Sequence, residues 1–252
     1  MGKCKYCGKF AGLFSDCHKL CESLHNEKIE NIKQRVKAGL CSMNFEDFTF
    51  DKEDLQKSYV SVDEYARRVS DIVLEKYSQD INVEDKIWTS LEISFIKELV
   101  VKFPTLMNDS VICKVFCKYV ASCMESNEKE LNHGYFQSLN EDYIAPYALS
   151  ENDKKECFAT CFGKYLELLI KRGDVEESDM QFISDYKKNY NVGINDLKDS
   201  VVYGDFLNFL VAKIDAIPNF DDAKKYLQDI LLSLGIDKRQ LNPYSITYFD
   251  KT

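Results

Sequence analysis

The chain has 252 residues, 45% hydrophobic and 30% charged, and no tract rich in Pro, Gly, Ser or Gln, a composition that argues against a disordered or fibrous protein. Its formal net charge of −9 is uneven: residues 1–40 carry 8 Lys/Arg against 4 Asp/Glu, and the remainder carries 25 against 38. Non-specific duplex binding draws on neutralised phosphates, so an acidic body with scattered pairs such as Arg67/Arg68, Lys154/Lys155 and Lys187/Lys188 argues against a general nucleic-acid binder; those pairs read as solvated helix faces.

The first residues, Met-Gly-Lys-Cys-Lys-Tyr, have neither the apolar stretch of a signal peptide nor the Arg/Ser-rich character of a transit peptide. Gly2 would open a myristoylation signal, but position 6 is Tyr rather than Ser or Thr. No apolar run approaches the roughly 20 residues needed to span a bilayer. With 10 Cys and metal-like spacing in four of them, a reducing cytoplasm is the expected compartment.

Cys21 to Lys37 predicts a charged helix with Ile29, Ile32 and Val36 at helical spacing and Gly39 as its stop. Residues 41–60 lose periodicity around Phe45, Phe48 and Phe50, which predicts a packed linker, with a short strand as the other reading. Ser61 and Glu64 have capping-box spacing and open a helix to about Tyr77. A wide apolar face from Trp88 through Leu91, Phe95 and Leu99 stops at Pro104. A third stretch runs from Asn108 or Asp109 to near Asn127, and residues 127–149 follow as a long connection.

Ser150 and Asp153 predict the cap of a helix running to Arg172 and stopped by Gly173. Weaker helical patterns cover 177–190 and 196–216, and Asn219 caps a last helix stopped by Gly235. The tail from Asn242 to Thr252 favours extended backbone. The expected fold is mainly α: a zinc-binding module over 1–40, a linker over 41–60, and an all-helical body of about seven helices over 61–252.

The module carries the one strong chemical signal. In Cys4-Lys-Tyr-Cys7-Gly8, two thiolates separated by two residues can grip one ion from a tight turn, and Gly8 accepts the left-handed backbone such a turn requires. Cys17 and Cys21, four apart on an opening helix, share a face and can close the tetrahedron, with Phe10 and Phe14 as a small core. On these residues, 1–30 resemble a four-cysteine zinc ribbon or treble-clef finger, covering about one eighth of the chain; the resemblance implies a structural zinc and binding of DNA, RNA or protein. The three-residue gap in the second pair departs from the usual two, which leaves His18 and His25 as alternative ligands; His18-x-x-Cys21 restores the gap.

Cys113/Cys117 and Cys157/Cys161 repeat one-turn spacing on two predicted helices, but inside apolar stripes where Cys behaves as a small hydrophobe. Glu22-x-x-His25 and Glu130-x-x-His133 match the carboxylate–histidine spacing of di-iron bundles, though neither copy falls on a long inward-facing helix, and His133 reads as a surface loop residue. There is no phosphate-binding Gly loop, nucleophile elbow or His-Glu-x-x-His motif, and three His leave little acid–base chemistry near neutral pH.

The expected function is therefore non-enzymatic: a protein-binding inhibitor or adaptor, its acidic body meeting a basic partner such as a nucleic-acid-handling machine. Usage rich in Lys, Asn, Ile and Tyr fits an AT-rich bacterial or phage source and a role in phage–host conflict. The alternative is a nucleic-acid-binding regulator with Lys3, Lys5, Lys9 and Lys19 on phosphates and Tyr6 or Phe14 stacking on bases; a helical metalloenzyme comes third. No membrane partner or small-molecule substrate is expected.

Overall fold

A computed structural model describes residues 2–12, 15–83, 86–126, 132–146 and 151–236. Among them are ten α-helices and one two-stranded sheet, and no helix is long and apolar enough to cross a membrane. The chain divides into two compact units, Met1–Val115 and Phe116–Thr252, a division that does not follow the boundaries expected at residues 40 and 60.

The first unit opens with a hairpin of β1 (Gly2–Lys3) and β2 (Phe10–Gly12), paired antiparallel with a register irregularity. Helix α1 (Lys19–Ser42) follows, and its buried stripe of Ile32, Val36 and Leu40 packs on α3 (Val62–Asp80), which buries Val69, Ile72 and Val73. Gly39 does not stop α1. It lies inside the helix, where a Cβ would come within 2.7 Å of the Asp47 Cβ and 2.8 Å of the Phe48 ring, so its missing side chain is what admits Phe48. The helix ends four residues later at Met43, in the left-handed region at φ 51°.

The segment expected to be a linker is instead part of this unit's core. It forms a 3-10 turn (Phe45–Phe48) and the short helix α2 (Lys52–Lys57). Phe48 is fully buried, with its ring centroid 5.7 Å from Phe95 and 6.5 Å from Phe103. Burying such a side chain contributes roughly 2 to 3 kcal/mol, enough to fix the whole turn. Ser61 caps α3 as its spacing predicts, accepting the Glu64 N–H at 3.0 Å. Helix α4 (Ser90–Lys102) is opened by a reciprocal cap between Thr89 and Glu92, leaving Trp88 just outside it but buried against Tyr77. Pro104 starts a 3-10 turn (Pro104–Asn108), and α5 (Ser110–Ser126) contains the point where the units divide.

The second unit holds the rest of α5 together with α6 (His133–Tyr143), α7 (Glu151–Arg172), α8 (Glu177–Tyr190), α9 (Val201–Asp215) and α10 (Phe220–Leu234). Helix α6 occupies what the sequence presents as a connection: Asn132 accepts the Tyr135 N–H at 3.0 Å, and this cap offsets the cost of Gly134 in the first turn. The stretch expected as one helix over 196–216 is a 3-10 turn (Ile194–Leu197) and then α9, reset by the Ser200 cap. Gly173 and Gly235 follow α7 and α10 with positive φ, in line with their predicted role as stops. The core is aromatic: Phe136, Phe158, Phe162, Tyr165, Phe182 and Tyr186 are all buried. Phe14, Glu130, the Ser150 cap and the tail from Asn242 lie outside the described residues.

Candidate metal centre

The hairpin turn between β1 and β2 carries Cys4 and Cys7. It is closed by the Gly8 N–H donating to the Cys4 carbonyl at 2.9 Å and the Cys4 N–H donating to the Lys9 carbonyl at 2.7 Å, with Gly8 at φ 71°. That backbone points amides at sulfur, and the His18 N–H also donates to Cys4 Sγ at 3.4 Å. Burial would push the Cys4 thiol up, but the backbone N–H groups of Cys7, His18 and Tyr6 outweigh it and bring the thiol down to about 6.

The second pair comes from the start of α1. His18 is its N-cap residue, and Cys21 lies in the first turn, buried. His18 Nδ1 lies 3.3 Å from Cys7 Sγ and 3.8 Å from Cys21 Sγ, and the four donor atoms of Cys4, Cys7, His18 and Cys21 all fall within 4.8 Å of one another. This group could hold a metal ion. A tetrahedral shell with Zn–S near 2.3 Å and Zn–N near 2.05 Å has ligand-to-ligand separations of roughly 3.5 to 3.8 Å, close to the distances found.

The tautomer also fits. His18 Nε2 lies 2.9 Å from the Phe10 carbonyl, so Nε2–H donates outward and Nδ1 turns its lone pair to the sulfurs, the arrangement a ligating imidazole needs. At Cys21 the nearby Tyr59 hydroxyl favours thiolate, yet burial and the neighbouring Cys7 and Cys4 sulfurs leave the thiol raised. A dication between them removes that repulsion.

Cys17, expected as the fourth thiolate, is not in the group. Its thiol is raised by burial and by the Glu22 carboxylate beside it, while the sulfurs face His18 instead. The physical reason is the helix start: with His18 capping α1, His18 and Cys21 take the positions that converge on the knuckle, and the two-residue gap is restored. His25 is outside the group as well. Its Nε2 sits 3.2 Å from the Glu64 carboxylate on α3, and its ring lies 4.8 Å from Tyr6.

The small core expected of Phe10 is absent, since Phe10 is 58% exposed. Tyr6 fills that role, lying between His25 and Tyr59, with the Lys5 ammonium 5.0 Å from its ring centroid. Lys3, Lys5, Lys9 and Lys19 are all exposed.

Two other groups clarify the remaining residues. Cys117 and Cys157, both buried in the second unit, bring their sulfurs within 4.8 Å, and Cys113 and Cys161, one turn away on the same helices, are fully buried. His133 is not a surface loop residue. It begins α6, stacks on Phe182 and bonds the fully buried Asp179 at 2.9 Å. Asp179 also accepts from Tyr165 at 2.9 Å, from the Glu176 N–H at 2.8 Å and from Arg172. Burial opposes its ionisation, but these donors outweigh burial and hold the carboxyl below its usual range. Sequence reading missed this network because Asp179 is one acid among 42, and only the fold selects it.

No protein-family model matches the chain, and neither does any curated protein or solved structure.

Proposed function

We propose that this chain is a non-enzymatic binding protein in which a structural zinc ion stabilises the N-terminal module and the acidic helical unit docks a basic, amphipathic helix of a partner protein. Three thiolates and an imidazole suit zinc, and a knuckle in a hairpin turn followed by a helix that supplies two more ligands is the treble-clef arrangement. Four protein donors leave no open position for water or substrate, so the ion's contribution is to hold the fold. All three histidines are already engaged, by the sulfur cluster, by Glu64 and by Asp179. This supports a binding role over acid–base catalysis.

The observation that carries the docking role is an open groove of about 410 Å³ in the second unit. Its floor is made of small and apolar residues, Ala121 on α5, Ala159 and Gly163 on α7, and Leu197. Glu125, Glu156 and Glu167 line it against a single cation, Lys164. The unit as a whole carries 16 Lys/Arg against 23 Asp/Glu, a net of −7. Small residues let a helix approach closely and the carboxylates select cationic flanks, so the complementary partner is a basic helix, as a nucleic-acid-handling machine would present.

Fluorescence anisotropy of a labelled Lys/Leu amphipathic helix titrated with the full chain tests this. Binding that weakens with salt and falls at least ~10-fold in Gly163→Leu is expected, because the new side chain occupies the floor; a Cβ at position 163 meets the Leu197 methyls at 3.9 and 4.0 Å, in ordinary van der Waals contact without a clash. No binding of the basic helix, or equal binding of an acidic one, overturns the reading. The exposed Lys3, Lys5, Lys9 and Lys19 support the alternative of a nucleic-acid-binding module. Tyr6, held between His25 and Tyr59, is not presented for base stacking, so that alternative rests on phosphate contacts, which a steep salt dependence of oligonucleotide retention would reveal.

A further inference from the structure

Away from the sulfur cluster, the first unit holds a small cavity of about 70 Å³ lined from α1, α2, α3 and the segment between α1 and α2. At roughly 15 Å³ for each water-sized group, it has room for about four or five heavy atoms. Ile32, Val36 and Leu55 supply its apolar side, and the Phe50 ring stands with its centroid 4.6 Å from that of Tyr65.

Tyr65 marks the cavity as more than a packing gap. The residue is 3% exposed, yet its hydroxyl has no hydrogen-bond partner among the described residues. The oxygen is not sealed in as Trp88 Nε1 and the Tyr190 hydroxyl are, so the cavity it lines is the space it opens on to. Burial pushes this hydroxyl up to about 12, so near neutral pH it keeps its proton and can both donate and accept. A buried hydroxyl of this kind calls for a polar atom opposite it.

The charges around it are largely spent on one another. Lys28 pairs with Asp54, and Arg35 lies 3.6 Å from Asp47 while its Nη2 donates to the Glu46 carbonyl at 2.9 Å. Asp51 is left over. As the N-cap of α2 it gives one oxygen to the Glu53 N–H at 2.8 Å and keeps the other, and the exposed Asn31 amide on α1 also has no side-chain hydrogen bond among the described residues. The lining therefore carries three carboxylates against two cations, an excess of one negative charge. Asp47, Asp51 and Asp54 do not gather as a metal-ligand group among the described residues. Acceptors spread along a wall suit the separate N–H donors of an organic cation better than a bare metal ion, which needs its oxygens to converge.

We propose that this cavity binds a small primary ammonium ion bearing a second polar group, of the amino-alcohol class, with the ammonium on Asp51 and Asn31 and the other end on the Tyr65 hydroxyl. A chain of four heavy atoms matches the volume, and the Phe50 ring offers the cation an aromatic face. The site is independent of the metal ion and of the groove in the second unit.

The test titrates the ¹⁵N-labelled full chain with ethanolamine and follows the backbone amides of Phe50, Asp51 and Tyr65 by NMR. Saturable shifts at roughly millimolar ethanolamine are expected, within the ceiling for a ligand of four heavy atoms, and acetate is expected to cause none. Asp51→Asn keeps the helix cap and removes the charge; binding about 10-fold weaker is expected. Tyr65→Phe removes a hydroxyl that no described residue uses, so the fold is kept and binding about 3- to 10-fold weaker is expected. Absence of saturation, an equal response to acetate, or unchanged affinity in both variants overturns the proposal. Tighter binding of N-acetyl-lysine amide than of ethanolamine overturns it too, because the site would then belong to a lysine side chain of a partner and not to a free amine.

Discussion

The N-terminal module and the second unit are held together by different means. In the module, Cys4 and Cys21 are buried but Phe10 and Leu20 are 58% and 71% exposed, so the described residues of the hairpin and the first turn of α1 form almost no apolar interior. In the second unit Phe136, Phe162, Tyr165 and Phe206 are sealed from solvent, and the buried Asn140 and Tyr186 pair with each other: Asn140 donates to the Phe136 carbonyl at 2.7 Å, and the Tyr186 hydroxyl lies 3.0 Å from Asn140 Oδ1. A segment of some 30 residues cannot exclude enough water to fold on area alone, and in the proposed reading a cross-linking ion takes the place of the core it lacks. A unit of more than 100 residues has the area, and can also bury an aspartate provided every oxygen finds donors.

The largest expected effect is that of removing the proposed ion. With a strong chelator, amide exchange protection is expected to vanish over β1, β2 and the first turns of α1 while α7 and α8 keep theirs, because structural zinc supplies on the order of 10 kcal/mol to a module of this kind. Equal loss in both units, or loss in neither, would remove the distinction.

A smaller effect sharpens the other side. Asp179→Ala leaves Arg172 without its carboxylate and the Tyr165 hydroxyl without its acceptor, and is expected to destabilise the second unit by about 3 kcal/mol in thermal unfolding, with metal content unchanged. The same residue sets a pH dependence. Its carboxyl is held below the usual range in the folded state, so its contribution is fully present above about pH 4 and is lost as pH falls through the lowered native value. Stability of the second unit should therefore fall on acidification below pH 4, and more shallowly in Asp179→Asn, as circular dichroism at graded pH would record.

Local signals were legible in the sequence wherever one residue type has one physical use. Ser61 and Asn219 cap helices because short oxygen-bearing side chains can accept the orphan amides, and Gly173 and Gly235 follow helices because they tolerate positive φ. The knuckle was legible for the same reason. Gly39 was misread because a glycine that ends a helix and one that admits a neighbouring ring look alike until Phe48 is in place. Residues 41–60 lacked periodicity because Phe48 and Leu55 enter the core from a 3-10 turn and a helix of 6 residues, each too short for a repeat to register. Helix α6 was hidden by Gly134 and its brevity, and Asp179 by the absence of any sequence mark on an acid whose donors lie on two helices and a loop.

The choice between Cys17 and His18 shows the limit most clearly, since both lie within reach of Cys21 in sequence and only the helix start decides which one faces the knuckle. Metal content of the purified full chain and two variants, measured by native mass spectrometry, bears most directly on this. The account requires one zinc per chain in the wild type and in Cys17→Ser, and its loss or marked weakening in His18→Ala. Zinc lost from Cys17→Ser but retained by His18→Ala, or absent from the wild type, would contradict it.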